Sequence, residues 1–430
     1  MSGNFARFCL LSLLIVTVLA GAIPAHQARA TTELGYEPGQ VVVRLAADFS
    51  GTIDLINETY GTATLGSIYG RNDTYLLGAL DGTSAETLVK LMSADPRLAY
   101  AELNYVTENP EAGSTDRIYG WGGEDSQPYH NQDWREDMQM EQAHAYSRGR
   151  GVVVAVLDTG MQRDHPELSA SLHSVVFDFV DNDPFPDEEA NQIDEDGDGQ
   201  VDEGYGHGTH VAGITHLIAP ETLLMPLRVL NSEGRGNNFK TASAIRFAAY
   251  NGADVINLSL GTAYPSSLLR DVIAEVATMG VVVVAAAGNL DNEIPQYPAA
   301  EPCAIGVTSI NSKDKKSDFG SYGAWVDVDA PGEAIYSTFP MNGYAWWSGT
   351  SMATPFVSGQ AALLRSAEPS VGLHSLGQLI GGTAQPLDQI NPLYKGLLGQ
   401  GKLNLATSLE ALAENSWSTG RDVLGECETS

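Results

Sequence analysis

Cysteine is scarce in this 430-residue sequence, which contains only Cys9, Cys303 and Cys427. The scarcity excludes a disulfide framework of the kind that stabilises small secreted domains with little hydrophobic core. Cys9 lies in an N-terminal segment that we expect to be removed. One bridge between Cys303 and Cys427 is therefore possible, and two unpaired thiols are the alternative.

Basic residues are also few, with 23 Lys and Arg against 54 Asp and Glu, which gives a formal net charge of −31. Nucleic-acid binding is excluded, because contacts with phosphates require clustered Lys and Arg and the sequence has no such cluster. The acidic excess is explained by solubility in a salty or calcium-containing exterior.

Long hydrophobic runs are missing after the N-terminus. The apolar run at residues 8–22 is shorter than the ~20 residues that a membrane-spanning helix needs. It follows Arg7 and precedes Ala28-Arg29-Ala30, which is the order of charged, apolar and small residues in a secretory signal. We therefore predict a signal peptide at residues 1–30, a secreted or periplasmic protein, and no stable membrane anchor.

The segment after the signal has the pattern of a small α+β unit over residues 31–110. It combines a β-branched strand at residues 40–45, an amphipathic helix at 85–92 and a second strand at 98–106. Residues 111–126 contain Gly, Ser, Thr and acidic side chains, and they are predicted to form an exposed linker and maturation region.

From residue 149 onward, apolar strand patterns alternate with helical patterns. The predicted strands are residues 152–157, 223–229, 255–260 and 281–286, and the predicted helices are residues 207–218, 239–250 and 268–279. Continuous apolar strands separated by helices indicate a three-layer α/β domain with a parallel sheet. Functional residues in such sheets gather at the carboxyl ends of the strands.

Two polar residues follow predicted strands directly. Asp158 ends the first strand, within Asp158-Thr159-Gly160, and Asn289 follows the strand at residues 281–286. A buried strand can fix a carboxylate, and an asparagine amide can donate to a developing negative oxygen. An ordinary turn residue is the alternative at each position.

Two further candidates begin helices. His207 opens the helix at residues 207–218, and His210 follows at a spacing of three. A zinc-protease pair is not indicated, because it needs two His at a spacing of four with a Glu between them. We therefore interpret His210 as a packed or hydrogen-bonded histidine. Ser351 begins another helix, where a simple N-cap is the alternative.

The four candidates follow the order Asp, His, Asn, Ser, and chance rarely produces this conjunction. The sequence resembles the subtilisin-like serine proteases, or subtilases, whose Asp, His and Ser occur in this order. The motifs that carry the resemblance are Asp158-Thr159-Gly160, residues 206–213, residues 286–289 and residues 349–355.

This resemblance implies a serine endopeptidase acting on protein or peptide substrates. It implies a catalytic domain at residues 127–412, followed by a polar tail at residues 413–430. The preceding α+β unit resembles the inhibitory propeptide of such enzymes, which assists folding and is cut off by the enzyme. We expect a self-processing monomer.

The same resemblance implies the roles of individual residues. Ser351 would be the nucleophile, His207 its general base, Asp158 the residue that orients His207, and Asn289 a donor in the oxyanion hole.

Substrate contacts are also implied by the resemblance. An extended peptide would add as a strand along Ser259-Leu260-Gly261. Gln296 would lie near the floor of the primary specificity pocket, and a side chain pointing to solvent is the alternative.

An acidic segment lies between the Asp158 and His207 motifs. Residues 181–203 carry eleven acidic side chains and no Lys or Arg. The alternating carboxylates predict a structural calcium site, with Gly199 at the sharp turn. The match is partial, because Tyr205 stands where an EF-hand has its bidentate Glu, and a solvated acidic loop is the alternative. The predicted ligands are Asp194, Asp196, Asp198 and Asp202.

Two other functions are less compatible with the sequence. A catalytically inactive binding protein would lack one of the four candidate residues, and none is missing. An α/β-hydrolase esterase would have a Gly-x-Ser-x-Gly motif, which does not occur around Ser351.

Overall fold

The computed structural model describes residues 35–111, 120–195, 197–417, 422–425 and 427. The predicted signal peptide and the predicted calcium ligand Asp196 lie outside these residues. Within them, no helix is both long enough and apolar enough to cross a membrane.

Strands and helices alternate through most of this part of the chain. The strands are β1 (Tyr36–Leu45), β2 (Thr62–Ser67), β3 (Thr74–Ala79), β4 (Leu98–Glu108), β5 (Gly120–Gly123), β6 (Val153–Asp158), β7 (Phe177–Asp178), β8 (Leu223–Arg228), β9 (Arg235–Asn237), β10 (Val255–Leu258), β11 (Val282–Ala286), β12 (Ala304–Ile310), β13 (Val328–Pro331), β14 (Ile335–Phe339) and β15 (Gly343–Trp347). The helices are α1 (Ile53–Tyr60), α2 (Ala85–Met92), α3 (Gln127–His130), α4 (Trp134–Asp137), α5 (Met140–Tyr146), α6 (His207–Ile218), α7 (Asn238–Tyr250), α8 (Ser267–Thr278), α9 (Thr350–Ala367), α10 (Leu373–Gly382) and α11 (Leu405–Glu414), with 3-10 helices at Ser169–Ser171 and Pro392–Tyr394.

The central sheet consists of seven parallel strands in the order β13, β12, β11, β10, β6, β8, β7. Neighbouring side chains on a strand point to opposite faces. In β6, Val154 and Val156 enter one core, whereas Val153, Ala155 and Leu157 enter the other. Helices α5, α6, α9, α10 and α11 cover the first face, and α7 and α8 cover the second. The predicted three-layer α/β domain is confirmed.

The N-terminal α+β unit has its own small core. Strands β1 to β4 form an antiparallel sheet in the order β2, β3, β1, β4. Helices α1 and α2 supply Ile56, Leu88 and Met92, which pack with Val41 and Val43 of β1. The predicted helix at residues 85–92 is present with these bounds. Helix α1 and strands β2 and β3 were not predicted.

Two kinds of contact join this unit to the central domain. Strand β4 pairs antiparallel with β9, which extends the N-terminal sheet into the second domain. The buried Glu102 carboxylate accepts hydrogen bonds from the backbone N–H groups of Ser267 and Leu268, at 2.7 and 3.2 Å. These donors belong to the first turn of α8 and have no partner within the helix. The N-terminal unit therefore caps a helix of the central domain.

The structure describes both ends of the segment predicted as an exposed linker. Glu111 is 3% exposed, which contradicts the predicted exposure at that residue. Strand β5 pairs antiparallel with β15. A Cβ at Gly122 would collide with the ring of Tyr336, so glycine allows this close pairing. Residues 112–119 lie outside the described part of the chain.

Cys303 and Cys427 form a disulfide, which settles the two alternatives left open by the sequence. Both residues are buried, and they are separated by 124 positions. The bond fixes the described end of the polar tail to the residue that precedes β12.

We predict that replacing both cysteines by serine lowers the free energy of unfolding by about 2–4 kcal/mol, because the crosslink restricts the unfolded chain. Melting should be measured in the Ser351→Ala background, which lacks the predicted nucleophile. A reducing agent should lower the melting temperature of the parent but leave that of the Cys303→Ser, Cys427→Ser protein unchanged. Free thiols at both positions in a non-reducing peptide map would contradict the pairing.

Candidate active site

The four candidate residues come together at one edge of the central sheet. Strand β6 ends at Asp158, and Asn289 lies three residues after the end of β11. Helix α6 begins at His207, and Ser351 is the second residue of α9. The side chains of Asp158, His207 and Ser351 are fully or almost fully buried. The topology thus joins side chains from four separate parts of the sequence.

His207 is held by a carboxylate. Its Nδ1 lies 2.7 Å from Asp158 Oδ1, which also accepts the backbone N–H of Thr159 at 2.8 Å. The ring of Trp347 meets the imidazole edge-on, with ring centroids 5.2 Å apart. The imidazole is therefore fixed in both position and orientation, with Nε2 directed away from Asp158.

The first turn of α6 must come very close to the end of β6. A Cβ at Gly208 would collide with the carbonyl oxygen of Gly160, so only glycine permits this approach. The backbone N–H of Gly208 donates to Thr159 Oγ1 at 2.9 Å. The two glycine-containing motifs of the sequence are therefore in direct contact.

Glu188 supports this contact through hydrogen bonds, and it could not be identified from the sequence beyond its place in the acidic segment. Its carboxylate accepts the backbone N–H groups of Gly206 and Thr209, at 3.0 and 2.9 Å, and the hydroxyl of Thr159 at 3.2 Å. Burial raises the pKa of Glu188, although these donors oppose the shift. Glu188 ties the start of α6 to the residue that follows Asp158.

Ser351 is positioned by two contacts with Ser259. Its carbonyl oxygen accepts the hydroxyl of Ser259 at 2.9 Å, and its Oγ lies 3.3 Å from the carbonyl oxygen of Ser259. Because Ser351 lies in the first turn of α9, its backbone N–H has no acceptor within the helix.

Asn289 is oriented by Thr350. The side-chain oxygen of Asn289 accepts both the backbone N–H and the hydroxyl of Thr350, each at 3.0 Å. The amide nitrogen is consequently directed into the site, where it can donate to a negatively charged oxygen.

The carboxylate that occupies the site belongs to Glu111, a residue not predicted to be there. Its Oε2 accepts the hydroxyl of Ser351 at 2.7 Å and lies 3.1 Å from His207 Nε2. Its Oε1 accepts the amide of Asn289 at 3.0 Å. One carboxylate thus contacts all three polar side chains that face the site.

The two carboxylates change the protonation of His207. Burial by itself lowers the pKa of the imidazole, but Asp158 and Glu111 outweigh burial and raise the pKa to about 10. The protonated ring therefore stabilises this state of the protein. That contribution is complete below about pH 6.5 and is lost as the pH rises through about 10.

The predicted peptide-binding strand is paired with the chain itself. Glu108 of β4 donates its N–H to the carbonyl of Gly261 at 3.0 Å and accepts the N–H of Gly261 at 2.9 Å. Ser259 and Leu260 are buried beneath this pair. On its other side, β4 pairs with β9. An extended segment therefore lies in the cleft between Gly261 and β9, and it leads directly to Glu111.

Gln296 is 7% exposed, which contradicts the alternative that it points to solvent. Its amide donates to the carbonyl of Ile294 at 3.3 Å. A Cβ at Gly288 would lie 2.9 Å from Gln296 Cγ, so the side chain packs against the residue that precedes Asn289. This position is next to the site.

His210 is buried and hydrogen-bonded, as predicted. Its Nε2 lies 3.0 Å from the carbonyl oxygen of Ala345 and 3.1 Å from that of Ile335. Burial lowers the pKa of His210 to about 3, so the ring is neutral.

The acidic loop is exposed and folds around Asp194. The carboxylate of Asp194 accepts the N–H groups of Gly197, Asp198 and Gly199, at 2.6, 3.1 and 2.9 Å. Asp202 accepts two other N–H groups of the loop. In the described part of the chain, no group of three or more His, Cys, Asp or Glu side chains is arranged to hold a metal ion.

Comparison with known proteins supplies the family. The family model described as "Subtilase family" matches residues 149–408. Thermitase of Thermoactinomyces vulgaris is 42% identical over 241 residues, which cover 54% of this chain and 81% of thermitase. Subtilisin DY of Bacillus licheniformis is 36% identical over 270 residues, which cover 60% of this chain and 92% of that protein.

A solved structure is also similar. It is fervidolysin from Fervidobacterium pennivorans, described as a keratinolytic enzyme related to subtilisin, with a TM-score of 0.70 and 21% identity. The match covers 87% of this chain and 61% of the fervidolysin chain. At this level of identity, the likeness shows the shared fold alone.

The contact between Glu111 and His207 leads to a prediction about the imidazole. In the Ser351→Ala protein, adding Glu111→Gln should lower the pKa of His207 by about one to three units, because an opposite charge in contact is removed. The pKa should be followed by NMR titration of the imidazole. Glu108→Gln is the matched control, since it removes a charge from the same segment three residues away. Equal His207 pKa values in the two variants would show that Glu111 does not control the base.

Proposed function

This chain belongs to the subtilase family and is a serine endopeptidase, and we propose that it is secreted as a self-inhibited precursor that uses Ser351 as its nucleophile. The observation that carries the proposal is the set of donors around the Glu111 carboxylate. Ser351 Oγ, His207 Nε2 and the Asn289 amide all meet this one group. A peptide carbonyl that replaced the carboxylate would meet the same three groups.

Each residue then has a defined part in peptide hydrolysis. Ser351 Oγ attacks the carbonyl carbon, while His207 Nε2 accepts the hydroxyl proton and later delivers it to the leaving amine. Asp158 holds the imidazole by its Nδ1 and stabilises the imidazolium. The Asn289 amide and the backbone N–H of Ser351 donate to the negative oxygen that forms. A water molecule subsequently cleaves the acyl-enzyme.

The N-terminal α+β unit, residues 31–110, is proposed to be both an inhibitor and an aid to folding. Strand β4 lies in the cleft where a peptide would bind, and Glu102 caps α8. A protonated His207 cannot act as a general base, so the Glu111 contact supports inhibition by charge as well as by occupation. Maturation would cut the chain within residues 111–126.

The remaining properties are proposals from the sequence and the family. The signal-like segment at residues 1–30 supports a secreted or periplasmic enzyme. The substrates are protein or peptide chains, and the mature enzyme is proposed to act as a monomer. The side chain of Gln296, packed beside Gly288, is proposed to contribute to the primary specificity pocket.

Self-processing provides the test of this function. Purified wild-type precursor should shorten with time, and the mature form should react at Ser351 with a fluorophosphonate. The Ser351→Ala protein should keep its precursor length and should not be labelled. Ser370→Ala, which alters an exposed serine, should behave as wild type. Normal maturation of isolated Ser351→Ala protein would overturn the proposal.

Calcium is proposed to bind the acidic loop and to stabilise the enzyme. The donors fit a hard cation, since Asp194, Asp196, Asp198 and Asp202 offer only oxygen ligands. The loop already turns sharply, with a positive φ of 90° at Gly199, and its backbone wraps around Asp194. The ion would relieve repulsion between the carboxylates.

We expect calcium to raise the melting temperature of the Ser351→Ala protein relative to chelator. Binding to the folded state alone contributes RT ln(1 + [L]/Kd), about 2.7 kcal/mol at a hundredfold excess over Kd. The Asp196→Asn, Asp198→Asn protein should lose this shift. The matched control Glu136→Gln, Asp137→Asn removes the same charge from an exposed helix and should retain it. If calcium raises the melting temperature of the loop variant equally, the ion binds elsewhere. If calcium changes the melting temperature of none of these proteins, the acidic segment is a solvated loop without bound calcium.

A further inference from the structure

The backbone of residue 108 is fixed on both sides. Gly261 forms two hydrogen bonds with it, and residue 108 stands opposite Arg235 in the β4–β9 ladder. An extended peptide that replaced β4 would use the same backbone groups, because they do not depend on sequence. The side chain at this position would therefore face Arg235 in every such complex.

Arg235 already contacts an acidic side chain at this position. Its Nε lies 3.2 Å from Glu108 Oε1. Side chains directly opposite each other in an antiparallel ladder are close enough for opposite charges to attract. The contact follows from the register of β4 and β9, so it is built into the geometry of the cleft.

The backbone of Arg235 is held by a tight turn. Its N–H donates to the Asn231 side chain at 2.8 Å, and its carbonyl accepts the Asn231 N–H at 2.8 Å. Gly234, also in this turn, accepts the N–H of Asn109 at 2.9 Å. Arg235 is thus presented at a fixed point beside the peptide.

Arg235 is positively charged, whereas the protein as a whole is strongly negative. With a net charge of −31, the protein disfavours the approach of acidic peptides at long range. Arg235 provides local attraction at one peptide position. It also disfavours a Lys or Arg at that position.

We infer that Arg235 determines specificity by selecting substrates with Asp or Glu at the position of Glu108. Glu111, three residues later, meets Ser351, so the attacked bond corresponds to one of the two peptide bonds of residue 111. The selected residue is therefore the third or fourth before the cleaved bond. This inference rests on the proposed peptidase function.

The expected preference is moderate. The Arg235 side chain is 18% exposed and that of Glu108 is 40% exposed, so solvent screens the pair. Partly exposed ion pairs of this kind correspond to a change of about two- to five-fold in kcat/KM. The change should appear mainly in KM, and it should diminish as salt is added.

The test uses mature enzyme and pairs of peptides that differ only in Glu or Lys at the third or the fourth residue before the cleaved bond. Wild type should prefer Glu at one of these two positions. Arg235→Gln should lose the preference, and Arg235→Glu should reverse it. Lys313→Glu is the matched control, because it changes the same charge at an exposed site and should leave the preference and the basal rate unchanged.

The outcomes separate the two proposals. If wild type cleaves neither peptide of any pair and Ser351 is not labelled by a fluorophosphonate, the peptidase function itself fails. If wild type cleaves Glu and Lys peptides equally, or if the Arg235 variants keep its preference, the inference about Arg235 alone is overturned. A cooperative melting transition shows that each variant is folded. If Arg235→Glu does not fold, the loss of preference in Arg235→Gln alone tests the inference about Arg235.

Discussion

The hydrogen bond between His207 and Asp158 is the contact on which the rest of the site depends. It requires the first turn of α6 to touch the end of β6, which is possible because Gly208 carries no side chain that would collide with the carbonyl oxygen of Gly160. Glu188 holds the two elements together through backbone N–H groups on one side and Thr159 on the other. Ser351 and Asn289 lie at the same edge of the sheet, on other elements.

Glu111 occupies the position that the proposed mechanism gives to the carbonyl group of a substrate. A buried carboxylate is costly unless donors surround it, and here Ser351, His207 and Asn289 contact it. The charge of Glu111 also raises the pKa of His207, so in the proposed function it keeps the general base protonated while it fills the site. In the proposed maturation, removal of the segment that carries Glu111 would open the site at Ser351 and lower the pKa of His207 together.

Much of the central domain could be predicted because its elements are long and strongly patterned. Helix α6 has the predicted bounds, and β6, β8, β10 and β11 differ from prediction by one or two residues. Helix α1 and strands β2 and β3 lack such a pattern, since each has only one or two fully buried residues. Glu111 and Glu188 could not be identified, because their partners are distant in sequence. The Cys303–Cys427 bond likewise depends on where the tail lies.

The acidic segment is connected to the peptide cleft as well as to the base. Beyond Glu188, its later part contacts the turn that carries Arg235. The N–H of Asp202 donates to Glu233 Oε1 at 2.8 Å, and the N–H of Gly204 donates to the carbonyl of Ser232 at 2.7 Å. A Cβ at Gly204 would lie 2.6 Å from the Cα of Gly234, so the two backbones are packed without space between them. A change that orders or loosens the acidic segment would therefore reach β9, and through it the proposed peptide-binding cleft.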